Sequence, residues 1–382
     1  MSHWTILPGV WLQRLLRSRA VVLITRTDLR LSLFLLVVVV FFHFPSYDVA
    51  LVLHETDSTW NGVLRQIGEP FTDHSGLYDP ASHSAKLGFR FVPAVILHLL
   101  GLRSIAGGLI FQFVTLIVFY LLLVPVLRRW LHDRALVLAF ALPICFVIAG
   151  HVYASDFRGI FDTLALDLLL LAMLWRRSIL IIIPLLLAYF TDERALIGSG
   201  SFILLDLYLE ERYTSAAVML KGLRSRPVLA VLASWLLYLG IRLLLGYSIG
   251  LRSAPVDVIP YLRDNAHQAL IVLYDGLEGF LIPFVLVSLW LARKKKAYAF
   301  LLGIWCSLGV SYITALSVID VDRSMAYILP WLLLILLIWF RNSTRERLFD
   351  VLGWMLVLGL IYDRYYPLLA QIYRMRYVSH TI

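Results

Sequence analysis

The chain predicts an all-α fold: a polytopic transmembrane helical bundle of about eleven spans, with a long first extracytoplasmic loop containing short helices. Three observations lead there. Hydrophobic residues make up 60% of the 382 positions and the mean hydropathy is +0.82, too apolar for a soluble domain. Apolar runs recur at lengths near the ~20 residues that cross a hydrocarbon core. The loops between them alternate in charge. Arg14 to Arg30, Arg128/Arg129/Arg134, Arg176/Arg177, Arg212 to Arg226, Arg293 to Lys296 and Arg341 to Arg347 carry 21 of the 34 Lys and Arg, whereas the intervening loops hold 16 of the 25 Asp and Glu. Lys and Arg in short loops stay cytoplasmic, so the basic loops face in and the acidic loops face out.

In chain order, residues 1–30 form a basic amphipathic segment on the cytoplasmic surface. They lack the short apolar stretch and small-residue cleavage site of a signal peptide, so they read as retained. The transmembrane domain covers 31–366, with spans at about 31–48, 106–127, 135–152, 159–174, 178–190, 195–209, 228–247, 268–292, 297–316, 325–340 and 349–366. The shorter ones need tilt or snorkelling Arg to complete a crossing. Residues 88–103 read as an outer-side or re-entrant helix, because counting them as a span would invert every later loop and put Arg293–Lys296 outside. The first outer loop, 49–105, is the longest, and a loop of that length in a tight chain is usually functional. Residues 367–382 form a C-terminal tail.

The net charge of +9 does not indicate nucleic acid. The basic residues sit in scattered loops beside spans, where anionic lipid head groups account for them. Cys145 and Cys306 fall in apolar runs and make neither a disulfide framework nor a zinc spacing. His43, His98 and His151 read as interfacial or packed.

Four constellations can carry chemistry. His54-Glu55-Thr-Asp57 follows the first span. Asp57 or Glu55 there can serve as a general base for an acceptor hydroxyl, or Asp57-Ser58 can simply cap a helix starting near Thr59. The pair His54-Glu55 lacks the second His of a zinc helix. In Tyr153-Ala-Ser-Asp156-Phe-Arg158-Gly-Ile-Phe-Asp162, Arg158 and Asp162 are four apart, hence on one helix face. They either pair with each other or line a site with Asp156, and charges at that depth, Asp167 included, line a cavity or find a partner. Thr191-Asp192-Glu193-Arg194 is either a tight turn or a place where Arg194 grips a phosphate with its planar fork, supported by Asp192 and Glu193. Asp320-Val-Asp322-Arg323 offers Arg323 to a lipid phosphate. Its Asp-x-Asp spacing would suit a divalent cation, but no cofactor is firmly implied.

Two longer runs carry a resemblance. LGFRFVPAVILHLLGLRS, followed by a span ending in Arg128-Arg129, is similar to the segment that closes the first loop in GT-C type membrane glycosyltransferases. FRGIFDTLALDLLLLAMLWRR, followed by an apolar run and TDERALIGS, resembles the paired-span segment of bacterial members, which usually read Thr-Arg-Glu where this chain has Thr191-Asp192-Glu193-Arg194. The resemblance covers about residues 31–345 and extends to the overall arrangement. It implies a polyprenyl-phosphate-linked sugar donor, an acidic base in the first loop matched by Glu55 or Asp57, and an active site outside a bacterial inner membrane. The WWDYG-type signature of oligosaccharyltransferases is absent, as is a C-terminal soluble domain, which favours a glycan or lipid acceptor.

Physically, Arg158, Arg194 or Arg323 would hold the departing phosphate where charge develops, while the base deprotonates the acceptor in a single inverting displacement. A transporter or flippase of lipid-linked sugars has the same outline but would be expected to show internal repeats, and none is evident. A polysaccharide polymerase or ligase would typically rely on Arg-rich outer loops, and these are acidic.

Overall fold

The computed structural model describes residues 7–43, 58–77, 84–155, 159–252, 258–266, 269–318 and 321–378. Among these the regular structure is helical throughout, with no strand.

The chain opens with α1 (Leu7–Leu16), α2 (Arg19–Ile24) and α3 (Asp28–Phe42). Thr27 caps α3, its hydroxyl accepting from Arg30 N–H at 3.2 Å. The first loop contributes α4 (Ser58–Gly68) and α5 (Phe91–Leu99). Ser104 then caps α6 (Ile105–Arg128), and Asp133 caps α7 (Arg134–Phe146). The chain bends by 56° before α8 (Ile148–Ser155). A Cβ at Gly150 would lie 1.8 Å from the Ile144 carbonyl oxygen, so this bend requires glycine there. Next come α9 (Asp162–Met173), α10 (Ser178–Tyr189), α11 (Arg194–Leu209), α12 (Ala216–Gly222) and α13 (Arg226–Ser248), the last with Ser225 as cap and Pro in its first turn. The remainder is α14 (Val258–Asn265), α15 (Ala269–Leu277), α16 (Leu281–Trp290), α17 (Tyr298–Leu316), α18 (Val321–Met325), α19 (Leu329–Asn342) and α20 (Arg345–Val378). α1 packs along α20, and α19 is enclosed, with Trp331 to Ile338 all buried.

Among the described residues, four helical stretches are long and apolar enough to cross a membrane: Ile105–Arg128, Arg226–Ser248, Tyr298–Leu316 and Arg323–Asn342, with α7 and α8 as a bent fifth. This is fewer uninterrupted crossings than the eleven expected, and the reasons are local. α9 and α10 have 12 residues each, about 18 Å of helix. The run 268–292 is broken at Glu278, whose φ of 42° is left-handed. The last expected span is part of the 34-residue α20. Residues 88–103 contain only the nine-residue α5, too short to cross.

The bundle has two chemically distinct ends. At one, Asp28 lies 3.7 Å from Arg128 and 2.5 Å from Arg134. There Arg129 donates to the Met173 carbonyl at 2.9 Å, and Arg176 pairs with Glu210 at 2.6 Å. Arg341 sits 5.6 Å over the Tyr208 ring, and Tyr213 packs on Phe300, just beyond the Arg293–Lys296 run. The basic segments are thus gathered together. The other end holds the first-loop helices, the α10–α11 turn and the start of α9. There Asn265 donates to the Leu316 and Val318 carbonyls at 2.9 and 3.0 Å.

Candidate functional site

An ionic cluster is buried at this second end. Its geometry begins with a break in the chain. Gly159 (φ 73°) and Phe161 (φ 60°) are left-handed, so α9 starts only at Asp162. A Cβ at Gly159 would meet the buried Trp60 ring at 2.9 Å, which ties the first-loop helix α4 to this break. The expectation that Arg158 and Asp162 share one helix face is therefore corrected, because no continuous helix joins them. Asp156 and Arg158 themselves lie outside the described residues.

Asp162 is fully buried and reaches across the bundle. Its Oδ1 accepts from Arg194 Nη2 at 2.9 Å and from the Tyr327 hydroxyl at 2.7 Å. Its Oδ2 accepts from Arg323 Nε at 2.9 Å and also from Arg323 Nη2. Arg194 is held on every nitrogen. Nε donates to Asp192 Oδ1 at 2.7 Å, Nη1 to Ser324 Oγ at 2.7 Å, and Nη2 also to Asp192 Oδ2 at 2.7 Å. Its guanidinium lies 5.1 Å over the Tyr327 ring. Of the two alternatives for the Thr191–Arg194 knot, the turn is present, with Asp192 Oδ1 accepting the Arg194 N–H at 2.9 Å, and the Arg194 guanidinium is taken up by Asp192, Asp162 and Ser324.

Arg90, just before α5, extends the cluster outward. Nε and Nη2 form a fork on Glu193 at 2.9 and 2.8 Å. Nη1 lies 2.9 Å from Asp192 Oδ2 without hydrogen-bond alignment. Burial would raise the Asp192 carboxyl, but Arg194 and Arg90 outweigh it and hold the group well below the usual carboxylate range. Three guanidiniums (Arg90, Arg194, Arg323) therefore face three carboxylates (Asp162, Asp192, Glu193). Burying charges this way costs about as much as their attraction returns, so the cluster specifies an arrangement more than it stabilises one.

An aromatic rim borders the cluster. Phe91 packs on Phe71 and Phe190 with centroids 5.2 and 4.8 Å apart, and Phe190 packs on Tyr238 at 4.9 Å. Arg242 of α13 lies 4.4 Å over the Phe89 ring and donates to the Tyr238 hydroxyl at 2.7 Å. It has no carboxylate at ion-pair distance among the described residues. Its neighbours Leu239, Leu243 and Leu244 are exposed, so this cation sits at the lateral edge of the site, on the exposed apolar face of α13.

His54, Glu55, Asp57 and Asp320 lie outside the described residues, and Asp322 belongs to α18 with its side chain outside them. The expected helix after Asp57 is present as α4, starting at Ser58. Asp162, Asp192, Glu193, Arg194 and Arg323 come together. Among the described residues no group of three metal-ligating side chains converges. Of the packed histidines, His43 and His151 stack with centroids 3.9 Å apart. Sequence reasoning missed Arg90, Arg242, Ser324 and Tyr327. Arg242 carried a readable signal, being an arginine inside an otherwise apolar span. The chain matches no protein family, no curated protein and no solved structure.

Proposed function

We propose that this protein is an integral membrane glycosyltransferase of the GT-C type. It moves a sugar from a polyprenyl-phosphate donor to a glycan or lipid acceptor on the face of the membrane carrying the acidic end. The N-terminus is cytoplasmic in this reading, and the shorter helices complete an eleven-span bacterial inner-membrane arrangement through local thinning of the bilayer and snorkelling of their flanking arginines. The observation that carries it is Arg242: an arginine without a carboxylate partner among the described residues, on a helix with an exposed apolar face, stacked on a first-loop aromatic beside the buried ionic cluster. A donor of this class presents a phosphate at the interface and a sugar beyond it. Arg242 is suited to the phosphate, and Phe89, Phe91 and Tyr238 to the sugar's apolar face.

The roles follow from what each group already holds. Arg194 is engaged by Asp192, Asp162 and Ser324, so it acts as a positioning residue. Asp162, held by Arg194, Arg323 and Tyr327, has its oxygens turned to donors and not to an acceptor hydroxyl. The base is assigned to the first loop, to Asp57 or Glu55, which precede α4 and its buried Trp60. Proton transfer there and charge stabilisation at the leaving phosphate supply the catalysis, and no metal is called on.

The test is incubation of the purified protein in detergent with a panel of polyprenyl-phosphate sugars and candidate acceptors. Acceptor-dependent release of polyprenyl phosphate supports the reading. Movement of intact donor across a vesicle membrane without release would replace it with a flippase. Extension of a lipid-linked glycan with release of polyprenyl diphosphate would replace it with a polymerase or ligase.

A further inference from the structure

A second site is built at the opposite, basic end. A cavity of about 190 Å³ opens there among the ends of α6, α9, α11 and α19 and the start of α13. Three arginines, Arg129, Arg176 and Arg341, line it together with Trp130 and Trp175. Its deeper wall is apolar, formed by Ile181, Phe202, Leu205 and Val231. The neighbouring outer surfaces of α10 and α13 are hydrocarbon-facing, with Ile179, Ile183 and Leu229 exposed. The cavity therefore has a cationic mouth, an apolar interior and a lateral border on lipid-facing helices.

Local capping does not account for the three guanidiniums. Arg129 uses one nitrogen, on the Met173 carbonyl, and Arg176 one, on Glu210. Arg341 has only the Tyr208 ring, with no carboxylate at ion-pair distance among the described residues. The single carboxylate in the lining, Asp206, accepts from Ser225 at 2.6 Å. Donors thus remain for a ligand that is anionic, rich in acceptor oxygens and small. A volume below the ~300–1,000 Å³ of ordinary drug-sized pockets fits a head group and excludes a nucleotide.

We propose that this cavity binds the phosphodiester head group of an anionic phospholipid. The arginines take the phosphate oxygens as charge-assisted acceptors, the tryptophans sit at the head-group level, and the first acyl carbons lie on the apolar wall. Basic pockets between transmembrane helices recognise lipid head groups in this way. The proposal rests on the membrane reading of the bundle and not on the glycosyltransferase reading, so failure of either leaves the other standing.

The test uses the full chain in a neutral detergent, probed with phosphatidylglycerol, phosphatidylcholine of the same acyl chains, and glycerol phosphate. Native mass spectrometry and thermal unfolding read the binding. Wild type should retain phosphatidylglycerol and be stabilised by it, and Arg129→Gln with Arg341→Gln should weaken this by at least ~10-fold, as loss of charge-assisted contacts implies. Equal binding by the double variant, or equal binding of phosphatidylcholine, would overturn the proposal. Glycerol phosphate binding as well as the lipid would overturn it in favour of a soluble anion. Should the double variant not fold, brominated phosphatidylglycerol provides a second reading. Its quenching of tryptophan fluorescence must shrink in Trp130→Phe/Trp175→Phe, and unchanged quenching sinks the assignment.

Discussion

Arg323 Nε donates to Asp162 Oδ2 at 2.9 Å across 161 residues of sequence, joining the start of α9 to α18. The same carboxylate takes Arg194 from the α10–α11 turn. One buried aspartate therefore fixes three separate helix ends against each other, and the first loop is attached to this assembly through Arg90.

Asp162→Asn should be strongly destabilising, because it leaves two buried guanidiniums short of a counter-charge. Breaking a buried pair by removing one partner costs about 3–5 kcal/mol. Glu193→Gln should cost no more than ~1 kcal/mol, since its side chain is 43% exposed. Thermal unfolding in detergent compares them. Equal melting of both variants would mean that the cluster does not hold the helix ends.

Arg242→Ala should weaken donor binding roughly tenfold to a hundredfold, the range expected for a charge-assisted contact, while leaving the melting temperature near wild type. Arg242→Lys should restore only part of it, because the planar fork and its stacking on Phe89 are lost. Donor affinity unchanged in both variants would limit Arg242 to packing.

Asp57→Asn or Glu55→Gln should lower acceptor turnover by about 10²–10⁴, the usual contribution of a general base, with donor binding preserved. Wild-type turnover in both would remove the base from the first loop. Loss of donor binding in both would make these carboxylates part of the loop's folding.

The membrane orientation is checked by single cysteines in a Cys306→Ala background, as Cys306 is exposed and Cys145 buried. Thr72→Cys, on an exposed first-loop position, should react with an impermeant thiol reagent in intact cells. Thr214→Cys and Lys294→Cys, exposed at the basic end, should react only after permeabilisation. The reverse pattern would invert the orientation.

Acid stability depends on Asp192, whose carboxyl is held below the usual range by Arg194 and Arg90 against the effect of burial. A depressed carboxylate contributes its stability above its unfolded pKa, ~3.9, and loses it as pH falls through the folded value. The melting temperatures of wild type and Asp192→Asn should therefore differ by a constant amount from about pH 8 to about pH 5 and approach each other only below about pH 4. A gap that already closes near about pH 6 would contradict the assigned shift.

Composition and loop charge alone determined that the fold is helical and apolar and that its loops fall into a basic and an acidic set. Asp162, Asp192, Glu193, Arg194 and Arg323 were legible as charges that must be compensated for one reason: a charge beside an apolar run needs a partner or water, wherever that partner is. The partner's identity was not legible. The four-residue spacing of Arg158 and Asp162 suggested a shared helix face, and only the left-handed Gly159 and Phe161 show that the helix begins at Asp162, whose carboxylate meets Arg194 and Arg323. Arg90 read as part of an apolar first-loop segment, and its fork on Glu193 exists only because α5 folds back over the α10–α11 turn. Span count went the same way, since hydropathy sums over a run and does not register the break at Glu278 or the bend at Gly150. Sequence periodicity records which groups must leave water, whereas the rotation and breaks of the packed helices decide which of them meet.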